Sequence, residues 1–300
     1  MRYTFAKTLL ELAKKDKRIV LMTGDLGAHL FEPLREVLKE RFINTGVAEH
    51  NMVTAAAGLA YAGLKPWIYS IAPFVTIKVL EEIRNDVSIP NNNVKIVGLG
   101  GGYDYAIAGP THHILQDVSM ILSLQNFKVY APGFSEGIEE IMKKMNREKN
   151  PSYLRLAKAE KTDFKIAGFV PVRRLVKGTG LTVIVLGSMI NRVMPAYSEL
   201  TISGAVDLWL VTEMPFEFPK ELVVSIEKTK KLVVIEEHVK IGALGSYIAD
   251  FLLQRRIELK KYAHLYAKGY ISYRYGSRDF YLKESGLDRN TIKKTLKKLI

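Results

Sequence analysis

Two doubly wound α/β domains are predicted by three features of the sequence. Short continuous apolar runs of strand length recur along it, amphipathic helical stretches alternate with them, and in one region between the two halves the alternation fails. Runs that are apolar throughout belong to strands buried on both faces, as in parallel sheets covered by helices. A chain of 300 residues, 48% hydrophobic and 25% charged, has room for two such domains.

The first domain is expected over residues 1–158. It opens with a helix over 5–14, where FAKTLLELAK repeats its apolar positions at helical spacing, followed by the buried strand RIVLMTG at 18–24. A helix over 32–40 leads to FINTG at 42–46, and an Ala-rich helix runs over 49–61. Strands follow at KPWIYSI (65–71), VKIVGLG (94–100) and KVYAP (128–132), separated by helical stretches at 75–87, 113–124 and 135–147. Periodicity weakens between 156 and 180, where Gly168, Pro171, Gly178 and Gly180 mark a connection, and a linker is assigned to 159–179. The second domain, 180–300, resumes with LTVIVLG (181–187), a helix over 189–200, VDLWLV (206–211), a helix over 220–229 and KLVVIEE (231–237). A helix over 244–256, the strand-like AHLYAKGY and a C-terminal helix, NTIKKTLKKL, complete it.

Composition narrows the function classes. No apolar run reaches the roughly 18 residues of a membrane span, and the N-terminal stretch has the spacing of a helix rather than the layout of a signal peptide. With no cysteine there is neither a disulfide framework nor a thiolate metal site, so a cytoplasmic protein is expected. The net charge of +13 comes from lysines spread over helix faces, without an aromatic-plus-basic motif or zinc-finger spacing. That argues against nucleic acid and suits anionic small molecules or an acidic partner chain.

In parallel sheets, ligand chemistry collects at the C-terminal strand ends. Those ends here carry TGDLG (23–27), TGVAEH (45–50), SIAPF (70–74), GLGGG (98–102) and APG (131–133), rich in Gly, Thr and acids. Glu49 poses the sharpest question, because it is a lone acid at the mouth of the small apolar run that follows it. An ionised carboxylate is costly to bury unless paired. Either Glu49 turns back to solvent, or it does something that needs a buried acid.

The blocks GVAEHNMVTAAAGLAYAGLKP, SIAPF and GPTHHILQD, in this order, resemble the pyrimidine-binding domain of the transketolase family of thiamine-diphosphate enzymes. VIVLGS, VVIEEHVKIGALGS and YRYGSRDFYLKESGLDRNTI are similar to the C-terminal domain of the same family, so the likeness covers nearly the whole chain. The resemblance implies a thiamine-diphosphate pyrimidine-binding domain followed by a transketolase C-terminal-like domain. It gives Glu49 the role of hydrogen-bonding the aminopyrimidine nitrogen and stabilising the imino tautomer that activates the coenzyme. Gly46 lines the same pocket, and the Phe74 ring stacks on the pyrimidine. His112, in the GPTHH loop at a helix start, orients or protonates the substrate carbonyl, a task suited to imidazole. His113, Arg155, Asp25 and Arg2 become candidates for substrate binding, Arg155 because its planar fork suits a phosphate. His112, His113 and Asp117 have a spacing unlike metal-ligand motifs, and no metal site is assigned.

Departures from the family pattern matter as well. Ile77 and Lys78 stand where relatives often carry Arg or another aromatic residue, and Ala108 holds the place of an acid that reads a sugar hydroxyl. The upstream His that helps hold a substrate phosphate has no counterpart in GLGGGYDYA, where only Tyr103 or Asp104 could stand in. Family members grip the diphosphate through Mg2+ with G-D-G and, about 25 to 30 residues later, an Asn. GDLG at 24–27 is read as lacking such an Asn, the NNN at 91–93 being too distant. The resemblance therefore implies thiamine diphosphate shared with a separate N-terminal transketolase-type subunit that binds Mg2+. A homodimer of this chain within a heterotetramer is expected to transfer two-carbon ketol units between sugar phosphates. A 2-oxoacid dehydrogenase β chain, a deoxyxylulose-phosphate-synthase-like subunit and a non-catalytic scaffolding relative are the alternatives.

Overall fold

The computed structural model describes residues 1–157, 168–200 and 204–300. It contains two sheets flanked by helices. The first half supplies β1 (Ile19–Thr23), β2 (Phe42–Asn44), β3 (Lys65–Ile71), β4 (Lys95–Leu99), β5 (Lys128–Tyr130) and β6 (Ser152–Leu156). The second supplies β7 (Val172–Val176), β8 (Leu181–Leu186), β9 (Val206–Val211), β10 (Glu213–Met214), β11 (Lys231–Ile235) and β12 (Lys261–Leu265). The seven-stranded sheet has the order β10-β5-β6-β4-β3-β1-β2, and the five-stranded sheet the order β12-β11-β8-β9-β7. All pairings are parallel except β10 on β5 and β7 on β9. The expected buried strands behave as their apolar runs require: β1, β8 and β9 are buried at every residue.

Three differences from the sequence expectation have physical causes. SYLRL at 152–156 is a central strand although it carries Arg155, because a buried acid neutralises that charge. The linker assigned to 159–179 is partly strand: β7, with its two arginines, is an edge of the second sheet, while 158–167 lie outside the described residues. An edge strand is open on one side, so it needs no continuous apolar run. The short β10 leaves the second half and pairs with β5, Glu213 opposite Tyr130, so the sheets are stitched together. One apolar core runs through both domains, from Val20, Met52 and Ile68 to Trp209, Leu232 and Leu244. The stretch at 75–87 is irregular rather than one helix, and a helix at Arg278–Ser285 joins the expected set.

The helix Glu49–Tyr61 follows from its composition. Alanine forms helix readily, and Met52, Val53, Ala56 and Ala57 fall on one buried face. Its polar face is tied down by the His50 ring against Glu82 and by the Thr54 hydroxyl, which donates to Asp86 at 2.9 Å. These contacts fix the direction in which Glu49, in the first turn, points.

Candidate active site

The chain passes from β1 to β2 on one side, then returns to lay β3 on the other side of β1. A reversal of this kind opens a crevice at the carboxyl ends of the two strands, where α/β proteins bind ligands. Glu49 occupies that crevice. Its side chain is 1% exposed. Oε1 accepts a hydrogen bond from the Ser70 hydroxyl at the end of β3 (3.3 Å), and Oε2 accepts one from the Lys78 ammonium (2.7 Å). A Cβ on Gly24, just past β1, would stand 3.1 Å from Oε1, so glycine there leaves room for the carboxylate. The acid is buried, and it is paired as burial demands.

Phe74 and His112 stand beside it. The half-buried Phe74 ring lies 5.5 Å from the His112 ring, edge to face, and the Lys78 ammonium sits 5.6 Å from the Phe74 centroid. Tyr105 flanks His112 at 5.7 Å. The GPTHH segment is a 3-10 turn, Ala106–Thr111, that kinks at Gly109 (φ 72°), with the Tyr275 ring packed where a side chain would be. The helix expected at once after the histidines begins only at Asp117. His112 Nδ1 is engaged by the Thr111 hydroxyl at 2.9 Å. Glu49, Phe74 and His112 are therefore brought together from three separate sequence blocks. Ser70, Lys78 and Gly24 join them; Lys78 was legible only as a departure from the family pattern, and the other two only as members of strand-end loops.

His113, expected among the substrate-binding candidates, lies buried behind the site. It is 3% exposed and boxed by Tyr103, Tyr270 and Tyr281, the Tyr270 ring stacked on it at 5.9 Å. It anchors the loop to the second domain. Burial pushes its imidazole below the ordinary value, against the opposing pull of the Ala106 backbone and Glu237, and burial acts likewise on His238. Unfolded, both rings take up a proton near pH 6.5; folded, they do so only at lower pH. The unfolded chain thus binds more protons below that point, and stability present above about pH 6.5 declines as the pH falls. Urea unfolding is expected to show this loss between pH 7 and 5.5, and His113→Phe should flatten it by up to about 1.4 kcal/mol per pH unit. An unchanged slope would remove His113 as a source.

Arg155, expected as a phosphate ligand, is buried between the two domains with its donors engaged. Its Nε donates to Asp117 Oδ2 at 2.7 Å and its Nη2 to the Glu237 carbonyl at 3.0 Å, while the Tyr153 hydroxyl donates to the same Asp117 oxygen. Glu237 in turn accepts from the Tyr103 backbone N–H and pairs with Arg278, which also pairs with Asp104. Burial works to raise the Glu237 carboxyl, but the Arg278 guanidinium, the Tyr103 N–H and Arg155 together hold the group below its ordinary value. Tyr103 and Asp104, candidates to replace the missing histidine, are both buried in this network. The GLGGG run serves it: a Cβ on Gly101 or Gly102 would collide with Arg155 or Glu237.

The remaining candidates lie at the rim. Gly46 has φ 65° and no heavy atom within 4 Å of where a Cβ would stand. Asp25 is exposed and exchanges hydrogen bonds with Asn44. Asn51 does follow GDLG within reach of the family spacing, contrary to the sequence expectation, but it is exposed on the helix face. Arg2 is exposed at the start of the first helix, and its charge acts on Tyr105 beside His112. Among the described residues, no three His, Asp or Glu side chains converge as metal ligands, and no helix is long and apolar enough to cross a membrane.

The family model for the transketolase pyrimidine binding domain matches residues 1–162, and that for the transketolase C-terminal domain matches 171–292. An apulose-4-phosphate transketolase subunit of Phocaeicola vulgatus is 28% identical, over 86% of this chain and 85% of that protein. The 6-deoxy-6-sulfo-D-fructose transketolase subunit SqwH of a Clostridium species is 31% identical, over 84% of this chain and 80% of its own length. Against 1-deoxy-D-xylulose-5-phosphate synthase of Clostridium perfringens the identity is 27%, and the chain spans 49% of that enzyme. A solved structure described as a split gene transketolase, inactive beta4 tetramer, superposes with a TM-score of 0.87 at 26% identity, covering 99% of this chain and 97% of that one. The transketolase of Leishmania mexicana shares the fold, with a TM-score of 0.76 at 18% identity, over 99% of this chain and 45% of that one.

Proposed function

The chain belongs to the transketolase family, and on that premise we propose that it is the C-terminal subunit of a split enzyme that moves two-carbon ketol units between sugar phosphates. The observation that carries this reading is the buried Glu49 carboxylate beside Phe74 and His112 in the crevice between β1 and β3. Those residues fit an aminopyrimidine: a buried acid for a ring nitrogen, a flat aromatic face, a glycine at 24 that leaves room for the carboxylate, and open space beside Gly46. When bound, thiamine diphosphate supplies the nucleophilic carbon that carries the ketol unit. Glu49 holds the ring and moves a proton at its nitrogen, in the manner of a positioned general acid–base. Phe74 supports the ring face. His112, with Nδ1 held by Thr111, presents Nε2 to the substrate carbonyl. Asp25 and Arg2, exposed at the rim, are available to meet the sugar phosphate.

The diphosphate and its Mg2+ fall to a separate N-terminal-type chain, two of which join a pair of these chains. The apulose-phosphate and sulfofructose relatives, each named as one subunit of a transketolase, support the division, and so does the split gene structure whose tetramer of one chain type is described as inactive. Ala108, in place of an acid that would read a sugar hydroxyl, favours a specialised sugar. The test is reconstitution with a chain carrying the diphosphate site. Ketol transfer from a ketose phosphate is expected from the pair, and none from this chain alone with thiamine diphosphate and Mg2+. Turnover by the lone chain would overturn the division of labour. Deoxyxylulose phosphate formation from pyruvate would replace the ketose donor with the second reading that the synthase likeness supports.

A further inference from the structure

Lys78 touches both groups that the proposed function gives to the aminopyrimidine. Its ammonium lies 2.7 Å from Glu49 Oε2 and 5.6 Å from the centroid of the Phe74 ring. Its side chain is 37% exposed, against 1% for Glu49, so a cation reaches into the crevice from solvent on a flexible stem. Without that cation, Glu49 would be a buried carboxylate with, among the described residues, only the Ser70 hydroxyl donating to it, a costly arrangement. An aromatic face and a carboxylate are also what a flat, basic heteroaromatic ring would require at this place. The ammonium and the ring therefore compete for the same two partners.

We infer that Lys78 is a placeholder: its ammonium occupies the aminopyrimidine position in the cofactor-free chain, keeps Glu49 paired, and swings to solvent when the ring arrives. The exchange replaces one partner of the carboxylate by another and a cation on Phe74 by a stacked ring. Lys78 can leave at low cost because its stem is already a third exposed. Since the ring-accepting form is populated only when the ion pair opens, the pair weakens apparent cofactor affinity by the fraction of chains held closed. This inference rests on the proposed function.

The test is Lys78→Met, which keeps an unbranched apolar stem and removes the charge. In the reconstituted complex, calorimetric titration with thiamine diphosphate and Mg2+ should give a Kd about tenfold lower than wild type. In the cofactor-free chain the same substitution should lower Tm, because Glu49 loses its counter-charge. If Lys78 merely stabilised the fold, the substitution would lower Tm as well but would leave affinity unchanged or weaker. Equal or weaker binding by Lys78→Met, in a complex whose ketol transfer is lost on Glu49→Gln, overturns the placeholder and leaves the proposed function standing. Ketol transfer that is indifferent to Glu49→Gln overturns the proposed function, and the placeholder with it.

Discussion

Glu49→Gln is expected to cut kcat of the reconstituted enzyme by about 10²–10⁴-fold while the fold survives, the range for losing a positioned proton-transfer group. The substitution is close to isosteric. The amide oxygen can still accept from Lys78 and the amide NH2 can donate to the Ser70 hydroxyl, where the two residues now donate to separate carboxylate oxygens. What the amide cannot do is exchange a proton with a ring nitrogen. Lys78 loses the charge it pairs with, yet it is 37% exposed and regains water, so the stability cost should stay near the 0–1 kcal/mol of a surface ion pair. The expected signature is a lower kcat and kcat/KM with little change in unfolding midpoint. Wild-type turnover by Glu49→Gln would take this residue out of the mechanism; a collapsed midpoint would make its role structural.

The same local geometry explains what the sequence could and could not reveal. The helix Glu49–Tyr61 and the strand Lys65–Ile71 match the expected bounds, because helix-forming alanines and a strand buried at nearly every residue are local signals. The doubly wound α/β class followed from the same signals. Glu49 was legible as a problem, since a lone acid before an apolar run demands an explanation. Its partner was not, because Lys78 lies 29 residues away and its place depends on an irregular turn. The strand β10 is two residues long and pairs across domains, so no periodicity announces it. The partners of Arg155 and His113 were hidden for one reason: sequence shows that a charge or an imidazole exists, but which acid or ring faces it is decided by non-local packing. The glycines of GLGGG looked like a ligand-cradling loop, and in the fold two of them make room for Arg155 and Glu237.

Arg155→Met is expected to destabilise the chain by about 3–5 kcal/mol, the cost of removing one partner from a buried ion pair. Asp117 is 0% exposed and would keep only the Tyr153 hydroxyl, and the Glu237 carbonyl would lose the Nη2 donor. An unpaired buried carboxylate is costly, and such a loss is a large share of the roughly 5–15 kcal/mol that usually holds a domain folded. Arg155→Lys should fall between, because one ammonium keeps the charge but lacks the fork that spans Asp117 and Glu237. The position of the clamp extends its effect to the site. Arg155 lies on β6 of the first sheet, Glu237 follows β11 of the second, and Asp117 begins the helix after the GPTHH turn. Loosening it should also free His112, lowering kcat more than it raises KM for a phosphorylated sugar. The opposite pattern, a raised KM with an unchanged urea midpoint, would return Arg155 to the role of phosphate ligand. Urea unfolding and steady-state kinetics on the same two variants separate these outcomes, because only a clamp couples a large loss of stability to a loss of kcat.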